Sequence, residues 1–482
     1  MIIDYLKELF LQNFGYNPTA EQLAAVENLS EFILADMDTV QARVNRCVCL
    51  NGYAGTGKTS LVAALVKTMQ QVGRKCVLLA PTGRAAKVFA AYSGHPAFTI
   101  HKFIYRQRSL DSDAVFTLDF NALRNALFVV DEASMISNAP SGGIYGTDRL
   151  LDDLISFVYS GEGCRLILLG DTAQLPPVGQ INSPALQPDV LRSYGLEVSY
   201  ITLTQVVRQS EESGILANAT MLRNIIENRC GEFEVRWDHD ISNVPGNELI
   251  ESLAGSYRRA GTDDTIVVCR SNKRAHVYNM GIRNQILDRE EELSHGDIIM
   301  IAKNNYYWLG KQQEAADGDE ERPGRSDFLA NGDIAHVVRV RNERELYGFR
   351  FADCTMILPD YDDMEITATV LLDTLHTESP ALNREQQELL YRRVLEDYDD
   401  IPYKRERLKK MREDPYYNAL QIKYAYAVTC HKAQGGQWSE VYIDQGYIAP
   451  EMLTADYYRW LYTAFTRATQ HVHLVNWKEH AS

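Results

Sequence analysis

The sequence contains no run of eighteen or more uncharged apolar residues, so it offers no candidate for a membrane-spanning helix. A secretory signal is missing as well: the segment from Met1 to Phe10 carries Asp4, Lys7 and Glu8 where such a signal needs an unbroken apolar stretch. The expectation is a soluble cytoplasmic protein with no membrane partner. Cysteine is sparse and scattered. Of eight cysteines only Cys47 and Cys49 lie close, on alternate positions of an apolar strand where both face one layer, which is the pattern of buried thiols rather than of a disulfide or a metal site. Basic excess is also absent, with 49 Lys and Arg against 65 Asp and Glu, a formal charge of −16. Such a total speaks against a nucleic-acid binder. Much of the acid, however, is gathered in two runs at 314–321 and 385–400, so a cationic groove elsewhere is hidden in the sum. No internal repeat is visible.

At 482 residues the chain exceeds what one core ordinarily serves, and several domains are expected. Short apolar runs at 47–51, 76–80, 127–130, 166–170 and 200–203 alternate with helix-like stretches, the signature of a parallel sheet covered on both faces. A second set at 265–269, 424–429, 441–443 and 471–475 predicts another such sheet. Between its members the runs at 297–303, 333–340, 347–352, 355–358 and 366–371, with turn chemistry at Asn331-Gly332, predict a small antiparallel barrel inserted into the second sheet domain. Residues 311–327 read as a polar loop, and 383–410 as a solvated, densely charged helical excursion to which no chemistry is assigned.

Three strand ends carry the chemistry. Gly52-Tyr53-Ala54-Gly55-Thr56-Gly57-Lys58-Thr59 fits the phosphate-loop pattern G-x-x-x-x-G-K-[ST], between the run 47–51 and a helical run 60–69. Glycines let the backbone N–H groups wrap a polyphosphate, the helix N-terminus favours the anion, Lys58 neutralises β and γ charge, and Thr59 offers a hydroxyl to Mg²⁺. Phe128-Val129-Val130-Asp131-Glu132 ends a strand in two carboxylates, one suited to holding Mg²⁺ and the other to polarising water: Asp131 is the metal acid and Glu132 the base. Leu168 to Pro177 again ends a strand in polar groups, among which Gln174 can sense the γ-phosphate or position water. Upstream, Thr19-Ala20-Glu21-Gln22 is both a capping box and a place from which Gln22 can read an adenine edge. Arg208 follows the last strand of the first sheet and Arg467 lies in the second domain. An arginine that crosses a cleft to the γ-phosphate supplies transition-state charge.

Together these stretches resemble a superfamily 1B helicase of the RecD, Dda and Pif-like branch. Gly52 to Thr59 resembles motif I, Ala80-Pro81-Thr82-Gly83-Arg84-Ala85-Ala86 motif Ia, Asp131-Glu132-Ala133-Ser134 motif II and Gly170 to Pro177 motif III. Gln205 to Gln209 resembles motif IV, Tyr426 to Gly435 motif V and Tyr462 to Ala468 motif VI, in the expected order over nearly the whole chain. The resemblance implies an α/β fold of two RecA-like P-loop domains, with a pin insertion in the first and an SH3-like barrel insertion in the second. It implies boundaries at 1–45 for a helical segment with Gln22, 46–204 for the first domain with its pin at about 105–121, 205–292 and 419–482 for the second, and 293–418 for the insertion. Phe116 is the candidate wedge of the pin.

The activity so implied is ATP-dependent, 5′ to 3′ movement on single-stranded DNA with unwinding of duplex junctions, using ATP and Mg²⁺, in replication, repair or recombination. Nucleotide contacts fall on Gln22, Gly52 to Thr59 and Gly435, and strand contacts on Pro81, Thr82, Gly83, Thr99, His101, Asn279, Thr429, His431 and Lys432. No large N-terminal extension of the RecD-subunit kind is seen, which favours a stand-alone, monomeric motor. An RNA-directed helicase of the same superfamily, or a scaffold that uses ATP only as a switch, remains an alternative.

Overall fold

A computed structural model of the chain describes residues 2–34, 44–107, 116–140, 146–147, 149–207, 213–228, 231–309, 329–361 and 363–478. Six strands form the first sheet in the order Ala97–Thr99, Cys76–Ala80, Leu127–Val130, Arg165–Gly170, Arg46–Gly52, Glu197–Leu203, and every neighbouring pair is parallel. Parallel pairing needs crossovers, and crossovers lay helices on both faces. Side chains therefore alternate between two cores: Cys47, Cys49, Phe128, Val130, Leu166 and Leu168 enter one, while Val48, Leu50, Leu127, Val129, Ile167 and Leu169 enter the other. That double burial is why these strands read as unbroken apolar runs. The strand ending at Leu203 departs from the expectation of burial, since it has a neighbour on one side only and leaves Glu197 and Tyr200 exposed.

The second sheet runs Ala427–Thr429, Thr265–Cys269, Trp438–Asp444, Ala468–Val475, Ile241–Val244, again all parallel. Between its first two members the chain makes a closed barrel of Ile298–Ile301, Ile334–Leu346, Phe349–Leu358, Met364–Leu371 and Leu420–Tyr424. The long hairpin turns through Tyr347 and Gly348, at φ 57° and 74°, the left-handed pair that matches the twist of its strands. Two expectations are corrected here. Phe349–Leu358 is one strand rather than two, the apparent break at Asp353 being a carboxylate that pairs with Arg344 at 2.7 Å across the hairpin. The run 424–429 is likewise two strands, because the chain leaves the barrel at Tyr424 and enters the sheet at Ala427.

The excursion at 383–410 is solvated on one face only. Its helices Arg384–Glu396 and Lys404–Arg412 bury Leu390, Val394 and Met411 against Phe349, Phe351 and Leu371 of the barrel. Barrel and second sheet share one continuous apolar core. At their junction Arg283 and Asp297, essentially inaccessible to solvent, form an ion pair at 2.9 Å, with Tyr426 and the Ser294 N–H donating to the same carboxylate at 3.0 and 2.7 Å. In the first domain Tyr105–Gln107 pairs antiparallel with Phe116–Leu118, the base of the expected pin. The Phe116 side chain and the 311–327 loop lie outside the described residues.

Candidate nucleotide site and channel

Parallel strands end at one edge, so Gly52, Val130 and Gly170, on three neighbouring strands, deliver the phosphate loop and both acidic motifs to the same place. Gly57 caps the helix Lys58–Gln71 at φ 77° with no side-chain bond, which leaves the first helical N–H groups for a ligand. Glycine is needed there for a second reason: a Cβ would stand 2.6 Å from Gln22 Nε2. Gln22 closes its capping box with Thr19, at 3.0 and 3.2 Å, and gives one amide N–H to the Thr56 carbonyl at 2.9 Å, so it braces the loop from behind. The Lys58 side chain folds over Gly52, 3.1 Å from where a Cβ would be, and Thr59 is exposed at the helix start. Thr56 turns its hydroxyl back to the Tyr53 carbonyl at 2.8 Å, while Tyr53 itself is buried under the Arg223 guanidinium, 4.8 Å from the ring centre. Gly55, also at φ 77°, faces Leu216 and Val206 of the second half.

Asp131 accepts the Glu132 N–H at 2.8 Å and the Tyr92 hydroxyl at 2.5 Å. Glu132 occupies the left-handed region at φ 50°, a conformation that costs a non-glycine residue about 1 kcal/mol or more and gathers at functional sites. Its Oε2 and the Gln174 Oε1 are buried with no hydrogen-bond partner among the described residues. Burial raises the Glu132 carboxyl above its ordinary range against the pull of Arg467 and Lys58, and Asp171 is raised by burial against Lys58. A cleft that gathers acids, a lysine and two buried unpaired oxygens at a helix N-terminus fits a hydrated divalent cation with a polyphosphate: Thr59 and Asp131 would hold the ion and the loop N–H groups the phosphates.

The second domain roofs this edge. Tyr462, on the helix Ala455–Phe465, accepts the Ala54 N–H at 3.0 Å and donates to Asp171 Oδ2 at 2.6 Å. Leu175 is held from the same side, its N–H by Thr463 at 2.9 Å and its carbonyl by Gln434 at 2.8 Å. Arg467 is buried, bonded to Thr463 O, Gly436 O and Thr466 Oγ1 at 3.1, 3.2 and 3.2 Å, and near enough to Glu132 and Asp171 to draw on both charges. Arg208 lies outside the described residues. Glu21 fixes the strand end that precedes it, accepting the Thr204 and Gln205 N–H groups at 2.6 and 2.9 Å. Tyr92, Asp171 and Tyr462 escaped the sequence reading, although Tyr462 and Asp171 stand inside its motifs VI and III.

A channel of about 980 Å³ runs between the two sheet domains and the barrel. Thr82, Thr429, His431 and Lys432 line it, joined by Arg84, Lys87, Arg270 and Trp438. Burial lowers the Lys432 and His431 pKa values, and Lys423 beside Lys432 is brought down to about 8, first by burial and then by its neighbour's charge. Desolvated cations of this kind gain from a phosphate. Pro81 and Gly83 flank Thr82, whose hydroxyl caps the next helix by accepting the Ala85 N–H at 3.2 Å. Thr99 likewise caps a helix through the Lys102 N–H at 3.2 Å, and burial takes His101 down to about 4, leaving it neutral.

Two of the expected contact residues also make close contacts within the chain. Asn279 is buried and its amide is fully engaged, with Tyr424 O, Ala427 O and Ala427 N at 3.2, 2.9 and 2.8 Å, because the crossing from barrel to sheet orphans those backbone groups. Gly435 has Ala85 and Thr82 as its nearest neighbours, a Cβ there standing 2.8 Å from that of Ala85, so it permits close approach of the two segments.

Two family models match the chain: an AAA domain over residues 34–230 and a UvrD-like helicase C-terminal domain over 424–475. The ATP-dependent RecD2 DNA helicase of Deinococcus radiodurans is 31% identical over 206 residues, 42% of this chain and 25% of that protein. The ATP-dependent DNA helicase dda of Enterobacteria phage T4 is 25% identical over 265 residues, 53% of this chain and 56% of that protein. The chain thus spans between a quarter and about half of these relatives. A Pif1 helicase from Bacteroides, solved with ADP-AlF3 and ssDNA, aligns over 97% of this chain and 94% of its own at 15% identity and TM-score 0.46, too low for the fold to rest on it. Strand order supplies the fold; over the two matched segments, which contain the sequence motifs in order, the chain is similar to an AAA domain and to a UvrD-like helicase C-terminal domain, and it shares sequence with the RecD2, Dda and PIF1 helicases.

Proposed function

We propose that this protein is an ATP-driven motor that moves 5′ to 3′ along single-stranded DNA and opens duplex at junctions. One observation carries the reading: the second domain touches both sites at once. Tyr462 and Thr463 close on the phosphate loop and motif III, while Thr429, His431 and Lys432 of the same domain face the channel. Opening or closing of the cleft therefore shifts one strand grip against the other.

In this reading Lys58 and the loop N–H groups bind the phosphates and Thr59 with Asp131 holds Mg²⁺, which when bound offsets charge on the β- and γ-phosphates. Glu132, its Oε2 buried and unpaired among the described residues, takes the proton of the attacking water, and Gln174 orients that water. Arg467 leaves its backbone partners to meet the γ-phosphate, with Arg208 as a second cationic partner. Gln22 keeps one N–H and an acceptor lone pair for adenine while it braces the loop. Pro81, Thr82, Gly83, Thr99 and His101 grip the strand on the first domain. We likewise divide the chain at 1–45, 46–204 and 205–292 joined to 419–482, with 293–418 inserted.

Strand separation on 5′-tailed and 3′-tailed duplexes, run on DNA and RNA tracks with ATP and Mg²⁺, tests the proposal. Unwinding of the 5′-tailed DNA alone is the expected result. A 3′ preference or an RNA preference refutes polarity or substrate, and ATP binding without unwinding makes the protein a switch. Lys58→Ala is expected to remove DNA-stimulated hydrolysis by at least about a hundredfold.

A further inference from the structure

The helix Gly83–Ser93 touches both ends of the machine. Its first turns face the channel: Thr82 caps it, Arg84 stacks 4.0 Å from the Trp438 ring centre, and Lys87 donates to the Pro359 carbonyl of the barrel at 2.8 Å. In its last turn Tyr92 stacks on Phe89 with ring centres 5.2 Å apart and donates its hydroxyl to Asp131 Oδ2 at 2.5 Å. Eleven residues of helix make a rod roughly 16 Å long. A rod of that length transmits a displacement at one end to the other.

We propose that Tyr92 is a positioning residue for the metal acid and that it makes Asp131 responsive to what lies in the channel. The argument builds on the nucleotide and strand reading above. Asp131 has one oxygen on the Glu132 N–H and the other on Tyr92, so its orientation is set by one rigid neighbour and by one group that rides on a helix shared with the strand grip. The O···O separation of 2.5 Å is a close, direct bond to one carboxylate oxygen, and such outer partners fix the orientation of the groups that hold metals. A strand that pushes against Thr82, Arg84 or Lys87 shifts the helix, and Tyr92 turns the Asp131 carboxylate with it.

The test uses the full chain with ADP and Mn²⁺, free Mn²⁺ being read by its paramagnetic resonance signal with and without an oligo(dT) strand. The wild-type protein is expected to change its Mn²⁺ affinity when the strand is added. Tyr92→Phe keeps the ring and its stack on Phe89 but loses the hydroxyl. It is expected to weaken Mn²⁺ binding about tenfold and to abolish the response to the strand, with oligo(dT) affinity unchanged. Tyr92→Phe with wild-type Mn²⁺ affinity and wild-type response overturns the inference and leaves the tyrosine as packing. A wild-type protein whose Mn²⁺ affinity ignores the strand likewise overturns the inference, whereas one that binds Mn²⁺ no better with ADP than ADP alone does defeats the underlying nucleotide reading.

Discussion

Glu132 combines a left-handed backbone with a buried, unpartnered Oε2. A residue held in strain and dry needs the surrounding fold to keep it there, and its removal is expected to hurt chemistry far more than binding. Glu132→Gln should bind ATP with near-native affinity while hydrolysis falls by at least about a hundredfold, as measured by nucleotide binding beside single-turnover kinetics. Tyr462→Phe removes the bridge between Ala54 N–H and Asp171, a bond to a charged acceptor worth about 1.5–3 kcal/mol. The expected outcome is a loss of about tenfold or more in kcat/KM together with a lowered thermal midpoint. At this scale the sequence was legible where function is contiguous. Gly52 to Thr59 and the pair Asp131-Glu132 stand in line, so their chemistry can be read by spacing. Tyr92 meets Asp131 from 39 positions away and carries no local pattern, and Asn279 looks like any exposed helical amide until the barrel crossing gives it backbone to satisfy.

Among the elements, the joint between the helix Asn272–Gln285 and the barrel is held by the buried pair Arg283 and Asp297. Removing one partner of such a pair strands the other charge in a dry core. Asp297→Ala is expected to lower stability by about 3–5 kcal/mol, read from denaturant midpoints. A second acid at a joint behaves differently with pH. Asp333, beside Gly83, is raised by burial from an ordinary 3.8 to about 7, where Tyr361 and the Ala330 N–H are its partners. The folded state therefore binds the extra proton between those values, and the stability it contributes is full below about 3.8 and lost as pH rises through about 7. Asp333→Asn should flatten the fall in thermal midpoint between about pH 5 and 8. Most barrel strands were legible here, but Leu420–Tyr424 was not read as one of them, and strand limits were not legible. Asp353 looks like a turn because its partner Arg344 is across a hairpin, and the exit from the barrel at Tyr424 is apolar on both sides, so nothing marks the change of sheet.

For the whole molecule, total charge misleads and local burial informs. The formal −16 hides a channel wall where Lys432 and His431 are both lowered by desolvation, with Lys423 lowered beside Lys432. Lys432→Ala is expected to weaken single-strand binding and to reduce the slope of log K against log salt by about 0.7, with strand-free ATP hydrolysis little changed. The continuous core beneath barrel and second sheet, sealed by Arg283 and Asp297, has a mechanical consequence. A barrel that merely hung from two strands would flex at its root and dissipate a push. Sharing its interior with the sheet stiffens that root, so a push on the sheet domain would be carried through the barrel to Pro359, where it bears on Lys87.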